Sequence, residues 1–79
     1  MKLRVTILPK PGVLDPQGKA IAQALAALGF SDVNDVRAGK TIMLDLAETD
    51  PVKAEAAARE MAQKLLANTV IESFTVELA

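Results

Sequence analysis

Four basic residues, Lys10, Lys19, Arg37 and Lys40, and two short carboxylate pairs, Asp32/Asp35 and Asp45/Glu48, are the side chains of this sequence whose types and spacing could do chemistry. The basic set, with Gly12 and Gly18 flanking a helix start, is of the kind that holds a small anion. The carboxylate pairs suit general acid–base work only where a pocket and a proton partner stand beside them, and nothing near them in the sequence supplies either. They read as solvated acids at loop and strand ends. The anion reading is also weak. Neither G-x-G-x-x-G nor G-x-x-x-x-G-K-[ST] occurs, and Asp15 at the helix N-cap sets a negative charge where a phosphate would lie.

What is missing bounds the chemistry more firmly. The chain has no histidine, cysteine, tyrosine or tryptophan. A Cys-His or Ser-His nucleophile therefore has no base, zinc loses its two usual ligand types, and a C-x-x-C copper carrier is ruled out. Nine basic against ten acidic residues leave a net charge of −1, so no general electrostatic attraction draws the chain to nucleic acid or to an anionic membrane. No apolar run approaches the roughly 20 residues of a spanning helix, and the expectation is a soluble, cytoplasmic protein.

The elements that must position these residues follow from hydrophobic period. Leu3, Val5 and Ile7 alternate with Lys2, Arg4 and Thr6, which predicts a strand. Asp15-Pro16 predicts an N-cap followed by proline at the first helical position. The stripe Ile21, Ala24, Leu25, Leu28 continues that helix to a C-terminal cap at Gly29-Phe30. Val33 to Arg37 and Thr41 to Ala47 predict two strands of a hairpin joined through Ala38-Gly39. Asp50-Pro51 repeats the helix start, and Ala54, Ala57, Ala58, Met61 and Leu65 form the inner stripe, with Glu55/Arg59 and Glu60/Lys64 paired outside. Asn68 suits a left-handed cap, and Val70, Phe74, Val76 and Leu78 lead into a last strand.

The order β-α-β-β-α-β, with two Asp-Pro starts 35 residues apart, reads as an internal pseudo-repeat. It predicts an α+β, ferredoxin-like two-layer sandwich over residues 1–79, a four-stranded antiparallel sheet with two helices on one face. The other sheet face, with Arg4, Thr6, Leu8, Thr41, Met43, Asp45, Thr75 and Glu77, is mixed. It lacks the aromatics of an RNA-recognition module. A chain of 79 residues without cysteine has a marginal core, so self-association is the expected further source of stability. A regulatory dimer of the ACT type, binding a small metabolite, is compatible with such a sheet.

The segment Pro9 to Gly18 (P-K-P-G-V-L-D-P-Q-G) spends three prolines and two glycines on one connection, yet carries apolar Val13 and Leu14. A loop held this stiffly loses little conformational entropy on docking. Its candidate contact residues are Pro11, Gly12, Val13, Leu14, Asp15, Pro16, Gln17 and Gly18, with Arg37, Gly39 and Lys40 of the Ala38-Gly39 turn.

The runs Gly12-Val13-Leu14-Asp15-Pro16-Gln17-Gly18-Lys19-Ala20, Leu28-Gly29-Phe30, Val36-Arg37-Ala38-Gly39-Lys40 and Lys64-Leu65-Leu66-Ala67-Asn68 with Val70-Ile71-Glu72 closely resemble the PurS family, the small subunits of phosphoribosylformylglycinamidine synthase. The resemblance covers nearly the whole chain. It implies a non-catalytic part in purine biosynthesis, in which formylglycinamide ribonucleotide, glutamine and ATP give formylglycinamidine ribonucleotide, glutamate, ADP and phosphate. A glutaminase, PurQ, would release ammonia, and a large subunit, PurL, would hold ATP and Mg²⁺. The small subunit, itself a homodimer or tetramer, would bridge the two. No catalytic, cofactor or metal residue is expected on this chain.

Overall fold

The computed structural model describes residues 1–79. Strand β1 (Lys2–Pro9) lies at the centre of a three-stranded antiparallel sheet, between β2 (Lys40–Asp45) and β3 (Glu72–Leu78). The register puts Val5 across from Ile42 on one side and Val76 on the other, and Leu3 across from Leu44 and Leu78. Because cross-strand partners share a face, the alternating apolar residues of all three strands collect on one side. On the opposite face Arg4 and Glu77, also partners in register, form an exposed ion pair at 3.1 Å.

Helix α1 (Pro16–Ala27) and helix α2 (Pro51–Met61) both begin as the Asp-Pro pattern predicts. Asp15 accepts from the Gly18 N–H and Asp50 from the Val52 N–H, with proline in the first turn of each. Gly29 ends α1 at φ +99°, and the Phe30 N–H closes the cap on the Leu25 carbonyl at 3.0 Å. Helix α2 and the residue that follows it lay Ala54, Ala58 and Ala62 on Leu3, Val5 and Ile7, and these six side chains are fully buried. Alanine at i, i+4 and i+8 lets the helix backbone approach the sheet closely. A π-helical turn, Ala62–Leu66, follows, closed by the Ala67 N–H on the Ala62 carbonyl at 2.9 Å, and it brings Ala67 into the core. Of the two expected surface pairs on α2, Glu60/Lys64 forms at 2.5 Å. Neither helix is long and apolar enough to cross a membrane.

Three expectations are corrected. Val33–Arg37 is not a strand, so the sheet has three strands and not four, and the Ala38-Gly39 hairpin does not exist. The segment carries Asn34 and Asp35, poor strand formers, between its only apolar residues, and its Ala38 N–H is engaged by the Asp15 side chain at 2.9 Å. The two helices do not share one face of the sheet: α2 packs on β1 and β3, while α1 forms no packed interface with the strands or with α2. Its Leu28 stays 74% exposed. The two strand-helix-strand halves are thus unlike despite their matching caps. Asn68 is not left-handed, since no residue other than glycine has positive φ. Its side-chain oxygen accepts from the Val70 N–H at 3.2 Å and its carbonyl from Ile71 and Glu72, which turns the chain into β3 without that conformation.

The result is an elongated molecule of 48 × 24 × 14 Å. Its radius of gyration, 15.7 Å, exceeds the ~12 Å that a compact chain of this length would have. Helix α1 and the return segment 28–39 form an arm that leaves the sheet at the end of β1 and comes back at the start of β2.

Candidate functional site

The base of the arm is where the sequence-derived contact residues meet. Pro9, Pro11 and the turn at Gly12 (φ +83°) carry the chain out of β1, with the Val13 N–H donating to the Lys10 carbonyl at 3.2 Å. The Lys10 N–H is fixed in turn to the Ile71 carbonyl at 2.8 Å. Asp15 then binds both legs of the arm. Its Oδ1 accepts from the Gly18 N–H at 3.0 Å, capping α1, and its Oδ2 accepts from the Ala38 N–H at 2.9 Å in the return segment. Gly18, the one buried residue of α1, lies against Val36 so closely that a Cβ would meet the Val36 carbonyl oxygen and come within 2.6 Å of Asp15 Oδ2. Arg37 Nη1 donates to the Pro9 carbonyl at 3.3 Å and ties the return segment to the end of β1.

These contacts border an open cavity of about 560 Å³ between the loop, the first turns of α1 and the segment 34–37. Of the predicted contact residues, Pro11, Gly12, Val13, Leu14, Asp15, Gly18 and Arg37 line it. Pro16, Gln17, Gly39 and Lys40 do not. Gly39 instead seats the chain against Ile7 and Leu8, and Lys40 opens β2 opposite Ile7. The structure adds Ala22 on α1, and also Asn34, Asp35 and Val36, which a strand over 33–37 would have carried into the sheet. The Asn-Asp pair inside that stretch was the available signal against a strand.

Electrostatically the cavity is mixed. Lys10, Lys19 and Arg37 line it, and none of them is ion-paired within the chain. The backbone donors at the start of α1 are already engaged by Asp15, so this helix end offers no free anion cradle. Leu14, 80% exposed, stands on the rim as an apolar knob in water. The arrangement can receive a surface that presents both a carboxylate and an apolar group.

Hydrogen bonds from Gly18, and then from Ala38 and Gln17, hold the half-buried Asp15 carboxyl below its ordinary value of 3.8, outweighing a small opposing effect of burial. A carboxylate with a depressed folded-state value stabilises the fold fully above its unfolded value, near pH 4, and loses that contribution as the pH falls through the folded value. Asp15→Asn is expected to lower the Tm at neutral pH and to flatten the fall in stability below about pH 4. An unchanged acid limb in melts taken from pH 2 to pH 7 would show that this clamp does not bear on stability.

Comparison with known proteins fits this geometry. Residues 2–79 match the family model described as PurS: Phosphoribosylformylglycinamidine (FGAM) synthase. The phosphoribosylformylglycinamidine synthase subunit PurS of Bacillus subtilis (strain 168) is 42% identical over 77 residues, covering 98% of this chain and 90% of that protein. A crystal structure of B. subtilis PurS superposes with a TM-score of 0.86 at 41% identity, covering 99% of this chain and 96% of the other. A chain of the PurLQS structure from Thermotoga maritima gives 0.88 at 27% identity, over 99% and 95%. The likeness spans the arm as well as the sheet. With the family model matching from the second residue to the last, the chain belongs to the PurS family, the small subunits of phosphoribosylformylglycinamidine synthase.

Proposed function

We propose that this chain is the non-catalytic bridging subunit of its synthase, a glutamine-dependent ligase of purine biosynthesis, acting in the cytoplasm as one domain over residues 1–79. The observation that carries the reading is the full-length match to PurS, which includes a chain of a PurLQS complex. In this reading the glutaminase PurQ releases ammonia and PurL, with ATP and Mg²⁺, consumes it. Free ammonia is mostly ammonium at neutral pH and diffuses away, so a subunit that holds two active sites in register raises the effective concentration of the transferred species.

Docking to the larger subunits is assigned to Pro11, Gly12, Val13, Leu14, Asp15, Pro16, Gln17 and Gly18 with Arg37, Gly39 and Lys40. Leu14 supplies the apolar contact, and Lys10, Lys19 and Arg37 favour a carboxylate on the partner. Leu14→Asp and Arg37→Ala are each expected to weaken co-elution with PurQ and PurL in gel filtration. Glutamine-dependent turnover should drop at least tenfold while ammonia-dependent turnover by PurL is kept. Unchanged assembly and turnover in both variants would overturn the assignment.

The partner set also includes a second copy of this chain. On the apolar stripe of α1 and its cap, Ile21 and Leu28 are exposed and Leu25 is half-buried, and Ile42 and Leu44 of β2 are only partly buried on the core side of the sheet, where α2 forms no packed interface with β2. Both are about 18–20 Å long, a twelve-residue helix and a six-residue strand. Two copies can satisfy each other by laying α1 of one across β2 of the other. With only nine of 79 residues buried in the lone chain, that additional core is what its size calls for. Leu25→Asp is expected to halve the mass seen by analytical ultracentrifugation; a variant that sediments like the parent would place the interface elsewhere.

A further inference from the structure

The arm that carries the unpartnered apolar stripe is also one wall of the docking cavity, since α1 begins at Asp15-Pro16 and supplies Gly18, Lys19 and Ala22 to the lining. We propose that self-association and docking are thermodynamically coupled: a second copy covering α1 is what holds the cavity at the base of the arm in its binding shape. The proposal rests on the docking surface assigned above and adds its regulation.

Helix α1 on its own has little to keep it formed. It has twelve residues, no acidic side chain in its first turn, no basic one in its last, and no packed interface with a strand or with α2. Isolated helices of this length are marginal in water, and an apolar stripe left in solvent adds nothing to them. The cavity depends on that helix at three points. Gly18 presents its N–H to Asp15 only from a helical first turn, the Lys19 N–H donates to the Asp15 carbonyl at 3.0 Å, and Val36 packs on the Gly18 backbone. When α1 frays, Asp15 loses its cap. Its second bond, to the Ala38 N–H, then joins two mobile legs, and the wall formed by 34–37 parts from the loop. Covering Ile21, Leu25 and Leu28 with a second copy reverses each of these losses. By linkage, docking of a larger subunit must tighten self-association by the same factor by which self-association tightens docking.

The test compares the full wild-type chain with Leu25→Asp, a residue outside the cavity lining, for binding to purified PurQ and PurL. Hydrogen exchange at the Gly18 and Ala38 amides is followed in parallel. The monomeric variant is expected to bind at least tenfold more weakly and to lose protection at both amides while β1 and β3 amides stay protected, which separates local loosening from unfolding. Without any substitution, diluting the wild type through its self-association midpoint should give the same loss of protection, and partner binding should rise more steeply than first order in chain concentration. Undiminished binding by a folded, monomeric Leu25→Asp, equal protection at Gly18 and Ala38 across the dilution, or a wild type that never self-associates would each overturn the coupling and leave the docking surface standing. The docking surface itself falls only if Leu14→Asp and Arg37→Ala bind as wild type.

Discussion

Ile7→Ala is expected to cost about 2–5 kcal/mol, the range for truncating a fully buried isoleucine, and to leave most of the isolated chain unfolded at 37 °C. Ile7 has no exposed surface, sits on the central strand between Lys40 and Phe74, and belongs to the three-residue row on which the α2 alanines lie. Those alanines are too small to move into the space left behind, so the cavity persists and its cost adds to the lost burial. A chain of 79 residues has ~4–12 kcal/mol of stability to lose by the usual per-residue figure, and only eight residues form this core, which argues for the lower part of that range. Urea unfolding followed by circular dichroism gives the measurement, with Val52→Ala on exposed α2 surface expected within about 0.5 kcal/mol of the parent. A loss below 1 kcal/mol at Ile7 would mean that the core is not centred on β1.

Gly18→Ala should destabilise by about 1–3 kcal/mol, the reverse of what alanine does at an ordinary helical position, where it gains up to about 1 kcal/mol over glycine. The sign separates the two accounts of this glycine. The added Cβ would fall on the Val36 carbonyl oxygen, 2.6 Å from Asp15 Oδ2 and 3.0 Å from the Val36 carbonyl carbon. A carboxylate can rotate away, but a backbone carbonyl cannot move without its segment. Relief therefore comes by pushing the return leg off α1, which breaks the Ala38-to-Asp15 hydrogen bond and opens the cavity. Partner binding is expected to fall at least tenfold along with the melting temperature. If Gly18→Ala melts higher than the parent, the close approach of α1 to 34–37 is wrong.

Local chemistry was largely legible. The Asp-Pro starts, the Gly29 end of α1 and the turn at Gly12 each depend on a few neighbouring residues, and all four formed as read. The course of the loop was legible because proline confines the backbone wherever it occurs and glycine admits the positive φ found at Gly12. The fourth strand does not form because apolar residues at 33 and 36 make a pattern only, and a strand exists only if another strand pairs with it. The Asn34 and Val36 cavity wall was missed for the same reason: its position comes from the Asp15–Ala38 bond between residues 23 apart in sequence.

What the sequence determined by itself was the family, the absence of histidine and cysteine, and the type of each helix and of β1, because these follow from residue identity and short-range period. Where α1 goes was decided only by the tertiary structure. Its stripe specifies that something apolar must cover it and is silent on what, since a hydrophobic face has no address and burial is non-directional. The clamp at Asp15 and the contact of Gly18 with Val36 tie the helix to the return segment, and α1, with no packed interface on its own sheet, stands as an arm where the sequence pattern called for a core element.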